Sequence, residues 1–131
     1  MQLHLNKPGI GKLVSLVMIS LVVSLSANAS DILPDGTYKF TYGFEEYTGR
    51  DLDTTCTVII KGKSVKIIHD GSKRLKGAKG KILDQGILVK HKRTGKWIIG
   101  KSAKDALAPE VGGCVDGPNI IDLKKKIYWS C

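Results

Sequence analysis

Fourteen of the chain's 21 lysines and arginines fall between positions 61 and 104, where Asp70 and Asp84 are the only acids. Lys61, Lys63, Lys66, Lys90, Lys92, Arg93 and Lys96 are spaced along consecutive short segments of this block. Lysines carried on neighbouring hairpins build a positive face that attracts anions. The anions such a face fits are an acidic protein, an anionic envelope polymer or lipid head groups. Outward lysines also keep strands soluble and block edge pairing, so charge alone does not establish binding. Trp97 is the sole aromatic side chain in the block. The stacking platform of a single-stranded nucleic-acid binder is therefore missing, which disfavours nucleic acid.

Catalytic sets are sparse. His69 and His91 each lie on a β-type segment beside lysines and read as surface or edge residues. No G-x-S-x-G, H-E-x-x-H or Gly-rich phosphate loop occurs. Glu45-Glu46 and Asp51-x-Asp53 could offer oxygens to a cation, but a hard cation takes roughly six or more of them. These acids read as solvated, and neither a metal nor a cofactor is expected. Gly112-Gly113-Cys114 would suit a thiol nucleophile, yet a disulfide explains that cysteine with fewer assumptions. A non-enzymatic protein is the expectation.

The cysteines are Cys56, Cys114 and Cys131. No C-x-x-C pair is present, so a thioredoxin-like site or zinc knuckle has no support. The closing hairpin returns the chain end towards residue 118, which favours Cys114–Cys131, with Cys56–Cys131 as the other pairing. Cys56 alternates with Val58 and Ile60 on one strand face, where a buried, inert thiol is expected.

An oxidising compartment is indicated by the first residues. Lys7 and Lys12 precede an apolar run from Leu13 to Leu25, and Ala27-Asn28-Ala29 supplies small residues before a cut. This order of segments reads as a cleaved signal peptide over 1–29, leaving one domain over 30–131 that is periplasmic or secreted. Residues 30–131 keep 19 of the basic side chains and all 12 acids, a balance of +7.

The elements that must carry these residues are short strands. Thr37 to Phe44 alternates strictly, placing Tyr38, Phe40, Tyr42 and Phe44 on one face. Those aromatics read as core rather than as a ligand wall. Thr55–Lys61 and Ser64–His69 flank Gly62-Lys63, a two-residue hairpin turn with positive φ at its first central position. Lys81–Leu83 and Ile87–Lys92 flank Asp84-Gln85-Gly86, read as a further hairpin. Lys96–Gly100 follows, then a short helix over Ala103–Leu107 capped by Ser102, and an irregular Gly/Pro-rich stretch over 108–118. Asn119–Leu123 and Lys126–Cys131 form the closing pair, with Trp129 facing away from Tyr128 and able to anchor a partner.

About eight short strands and one helical turn predict an all-β fold, an antiparallel meander barrel or sandwich, with barrel favoured because closure removes edges. The functional expectation is a small exported binding domain that presents its basic face to an acidic partner protein or anionic envelope component. Two alternatives stand beside it: a periplasmic inhibitor or immunity protein neutralising a toxin or hydrolase, and a small-ligand carrier using the barrel interior.

Overall fold

The computed structural model describes residues 31–45, 53–112 and 114–131. The leader read at 1–29, the polar stretch 46–52 with Glu46 and Asp51, and Gly113 lie outside the described residues. Seven strands form one sheet: β1 (Gly36–Phe44), β2 (Thr55–Lys61), β3 (Ser64–Ile68), β4 (Ile82–Lys90), β5 (Trp97–Gly100), β6 (Ile121–Asp122) and β7 (Ile127–Ser130). Their order is β5-β4-β3-β2-β1-β7-β6. The two outer strands then meet: Ile98 bridges to Ile120, and the Ile99 N–H donates to the Asn119 carbonyl at 3.0 Å. The result is an all-β, nearly closed barrel.

Alternation supplies the interior. Phe40, Cys56, Val58, Ile60, Val65, Ile67, Leu88, Ile99, Ile121 and Tyr128 belong to one buried cluster, with Tyr38, Tyr42 and Trp97 packed against it. Cross-strand partners agree with this: Phe40 faces Cys56, Val58 faces Ile67 and Leu88 faces Ile99. The aromatic stripe of β1 is thus core from Tyr38 to Tyr42, while Phe44 at its end is half-buried against the Tyr42 ring.

Two features depart from a simple meander. β1 and β7 pair in parallel, with Thr41 opposite Ile127 and Phe44 opposite Ser130. Closing the barrel requires this, because β7 enters between β1 and β6 running in the same direction as β1. The second departure is the absence of a hairpin at Asp84-Gln85-Gly86, which lie inside the continuous strand β4. Gly86 is not one of the glycines at positive φ. A Cβ there would stand 2.3 Å from the Gly100 carbonyl oxygen, so the residue is glycine to admit the neighbouring backbone. Eight expected strands become seven for this reason.

The hairpin at Gly62-Lys63 is present, with Lys61 opposite Ser64 and Gly62 at φ 62°. Ser102 caps the following turn, accepting from the Lys104 N–H at 3.3 Å, but Ala103–Leu107 is a 3₁₀ turn. It lies over the outer face of β4 and β5, where Val89 and Ile98 are buried outside the main cluster.

Tyr128 carries the barrel's interior polar contact. Its hydroxyl donates to Asp84 Oδ2 at 2.8 Å, and the Asn119 amide donates to the same oxygen at 2.9 Å. Burial first, and then the Asp84 carboxylate, push the Tyr128 hydroxyl well above the usual phenol range, so it stays a donor. The cluster ties β4, β7 and the entry to β6 together where the backbone ladder is shortest.

Candidate functional site

Strand direction decides which loops share an end. β1, β3, β5 and β7 start, and β2, β4 and β6 finish, at one rim of the barrel, as their registers require. That rim therefore collects the turns at 61–64, 91–96 and 123–126, together with residues 31–35. Among the described residues nine basic side chains lie there: Lys61, Lys63, Lys90, Lys92, Arg93, Lys96, Lys124, Lys125 and Lys126, all exposed.

The acids at this rim are Asp31, Asp35 and Asp122, and each has a partner. Asp35 Oδ1 accepts from the Gly62 N–H at 2.6 Å, fixing the β2–β3 turn. Asp122 Oδ1 accepts from the N–H groups of Lys124 and Lys125 at 3.1 and 2.8 Å, shaping the β6–β7 turn. Lys126 completes that turn at φ 57°, and its ammonium stands 5.7 Å from the Tyr38 ring centroid. Asp31 meets Lys90 at 3.4 Å, while the same ammonium lies 5.7 Å above the Trp97 ring.

His91 holds the β4–β5 tip. It is buried rather than an edge residue, with Nε2 2.7 Å from the Ala108 carbonyl and Nδ1 2.9 Å from Thr94 Oγ1. The same Thr94 oxygen accepts from the Lys96 N–H at 3.2 Å. The Arg93 guanidinium donates to the Pro109 carbonyl at 2.6 Å. These bonds clamp the basic tip to the 101–112 segment. His69 is buried likewise at the opposite rim. Its Nδ1 accepts from the Gly71 N–H at 2.9 Å, which leaves Nε2 to donate to the Leu75 carbonyl at 3.1 Å. Both histidines escape a sequence reading because the loops that bury them are distant in sequence or irregular.

The residues read as one basic face are partly separated. Lys61, Lys63, Lys90, Lys92, Arg93 and Lys96 gather at the rim. Lys66 lies midway along β3, opposite Ile59 and Gln85, on the side wall. Lys73, Lys76, Lys79 and Lys81 occupy the β3–β4 connection at the opposite rim. Trp129 is half-buried on β7, against Gly43, where a Cβ would fall 2.7 Å from its ring. The turn Lys124–Lys126 joins the site, although its charges sit in an otherwise acidic stretch of sequence.

Beside the lysine-rich rim opens a groove of about 910 Å³, lined on both sides of β6. Leu33, Trp97, Ile121 and Leu123 belong to its apolar wall, Trp129 to its outer part, and Lys96 and Lys124 to its lining.

Cys114 and Cys131 are joined, with 4.8 Å between their Cα atoms. The bond ties the β5–β6 connection to the chain end at the rim opposite the lysines. Cys56 is fully buried, and burial first, then Asp70, push its thiol up to about 12. At the mouth above it Asp70 accepts from Thr55 Oγ1 and from the Ser72 N–H, the latter at 2.9 Å. Burial raises the Asp70 carboxyl, but these hydrogen bonds outweigh it and hold the group below the usual carboxylate range. Among the described residues no three His, Cys, Asp or Glu side chains gather as a metal cluster, and no helix is long and apolar enough to cross a membrane. No family model, curated protein or solved structure matches the chain.

Proposed function

We propose that this chain is an exported, non-enzymatic binding domain whose lysine-rich rim meets an acidic partner protein or an anionic envelope polymer. The observation that carries the reading is the convergence of three hairpin tips, with nine exposed cations, at one end of a braced barrel. Asp31, Asp35 and Asp122 keep their charge while they shape the turns or answer Lys90, and nine cations against these three acids leave a surplus of six positive charges at that end. Rigid presentation matters because pre-ordered groups lose less entropy on association. A concentrated positive rim also steers an anionic partner, an effect that weakens as salt shortens the Debye length to about 8 Å at physiological strength. The leader-like first residues and the Cys114–Cys131 pair support an oxidising compartment outside the cytosol.

The inhibitor reading draws on a different observation. Leu107 stands 72% exposed on the braced 3₁₀ turn, beside the Arg93 contact to Pro109. A protruding apolar side chain on a clamped loop loses little entropy on entering a partner's cleft.

The first reading is tested by retention on immobilised poly-glutamate across a salt series. Reversal of Lys90, Lys92 and Arg93 to Glu is expected to weaken retention about tenfold or more at low salt. The melting temperature is expected to fall by roughly 6–12 °C, since three substitutions near 0.5 kcal/mol each add to about 1.5 kcal/mol and remove the Arg93 bond to Pro109 and the Lys90 pair with Asp31, so retention is measured well below the melt. Unchanged retention contradicts the electrostatic account.

A further inference from the structure

We infer that the groove beside the lysine-rich rim takes one chain of an anionic single-chain amphiphile, a fatty acid or alkyl sulfate. This rests on the reading of the rim as an anion site and names a ligand class for it. Two features that are separate in most surfaces coincide here. One is an apolar recess of about 910 Å³ reaching Leu33, Trp97 and Leu123. That volume lies within the range of roughly 300–1,000 Å³ typical of small-molecule sites. The other is a set of ammonium groups at its mouth. Lys96 and Lys124 line the groove, and Lys90 lies over the Trp97 ring that also lines it.

The chemistry of the mouth selects the head group. Asp31 and Asp122 also reach the groove, but Asp31 is paired with Lys90 and Asp122 accepts from the Lys124 and Lys125 backbone. The third acid, Glu45, follows β1 at the opposite rim. Lys90, Lys96 and Lys124 outnumber Asp31 and Asp122 at the lysine end, so a carboxylate or sulfate there meets a net positive charge, while the tail replaces water against Trp97, Leu33 and Leu123. A recess of this volume fits a single free chain, whereas a flat basic face would suit a membrane surface.

Trp97 and Trp129 are the chain's two tryptophans, and both line the groove. Intrinsic emission therefore reports occupancy directly. The domain over residues 30–131 is titrated with dodecanoate, dodecyl sulfate below its micelle threshold, dodecanol and dodecyltrimethylammonium. Both anions are expected to produce a saturable emission shift, with affinity at least about tenfold above the alcohol and the cation. Decanoate is expected to bind about tenfold more weakly than dodecanoate, as two fewer methylenes are buried.

Lys96→Glu with Lys124→Glu is expected to weaken dodecanoate about tenfold or more, and a melting temperature close to the parent's shows that the double variant is folded. Absence of a saturable shift with dodecanoate overturns the inference, as does equal affinity for all four head groups. Binding to anionic phosphatidylglycerol vesicles that dodecanoate does not displace overturns it too, in favour of a membrane surface. If poly-glutamate retention persists while dodecanoate fails, the groove assignment falls and the rim reading stands; if both fail, both fall.

Discussion

Gly86→Ala is expected to lower the melting temperature by roughly 12–24 °C, from a loss near 3 kcal/mol at about 4–8 °C per kcal/mol for a domain of this size. The cause is backbone crowding. The new Cβ would sit 2.3 Å from the Gly100 carbonyl oxygen and 3.0 Å from Ile99 Cγ2. Neither neighbour is the free end of a flexible side chain. Gly86 lies opposite Val65, and the adjacent Ile87 lies opposite Gly100, so relief requires β4 to move away from its partners. Gly36→Ala is the control. Its Cβ would meet only the Tyr38 ring at ordinary contact distances of 3.6–3.7 Å, and no unusual φ is required. That variant is expected to stay within about 0.5 kcal/mol of the parent. Thermal melts of both variants check the claim, and a Gly86→Ala protein as stable as Gly36→Ala contradicts the close-approach account.

Cys114→Ser with Cys131→Ser is expected to cost about 3 kcal/mol, the chain-entropy value for releasing a loop of this size. The bridge joins positions 17 residues apart and ties an irregular, glycine-containing connection to the chain end. Non-reducing peptide mapping is expected to link those two cysteines. Iodoacetamide is expected to reach Cys56 only after denaturation, because that thiol is fully buried and its ionisation is pushed up to about 12. Below its lowered melting temperature the double variant is expected to keep its retention on poly-glutamate, since the bridge and the lysine-rich rim occupy opposite ends. Alkylation of native Cys56, or a linkage from Cys56 to Cys131, contradicts this arrangement.

The sequence carried the strands better than it carried their assembly. Strict alternation from Thr37 to Phe44 and Gly-X at Gly62-Lys63 are local signals, and the structure keeps both. Asp84-Gln85-Gly86 was misleading because glycine has two uses. It permits positive φ, and it also removes a Cβ where another backbone passes. Residue type cannot separate these uses; only the distance to Gly100 does. The same holds for the lysine-rich rim. Lys124, Lys125 and Lys126 lie in a stretch whose acids outnumber its bases, so a window of sequence hides them. Parallel pairing of β7 with β1 carries their turn to the same end as Lys61 and Lys90. Conversely, the run from Lys73 to Lys81 looks continuous with the basic block and is delivered to the far rim. His69 and His91 follow suit: each is adjacent to lysines in sequence, and each is covered by a loop whose path no local pattern specifies.

Comparison of the two rims at equal charge separates a localised site from the effect of net charge. One variant carries Lys61, Lys63, Lys124 and Lys125 as Glu; the other carries Lys73, Lys76, Lys79 and Lys81 as Glu. All eight positions are exposed, and the two variants have the same net charge. Retention of each on immobilised poly-glutamate is measured across a salt series beside the parent. The first variant is expected to lose retention and the second to stay close to the parent. Equal losses in both would show that net charge alone governs binding and would contradict a site at the lysine-rich rim.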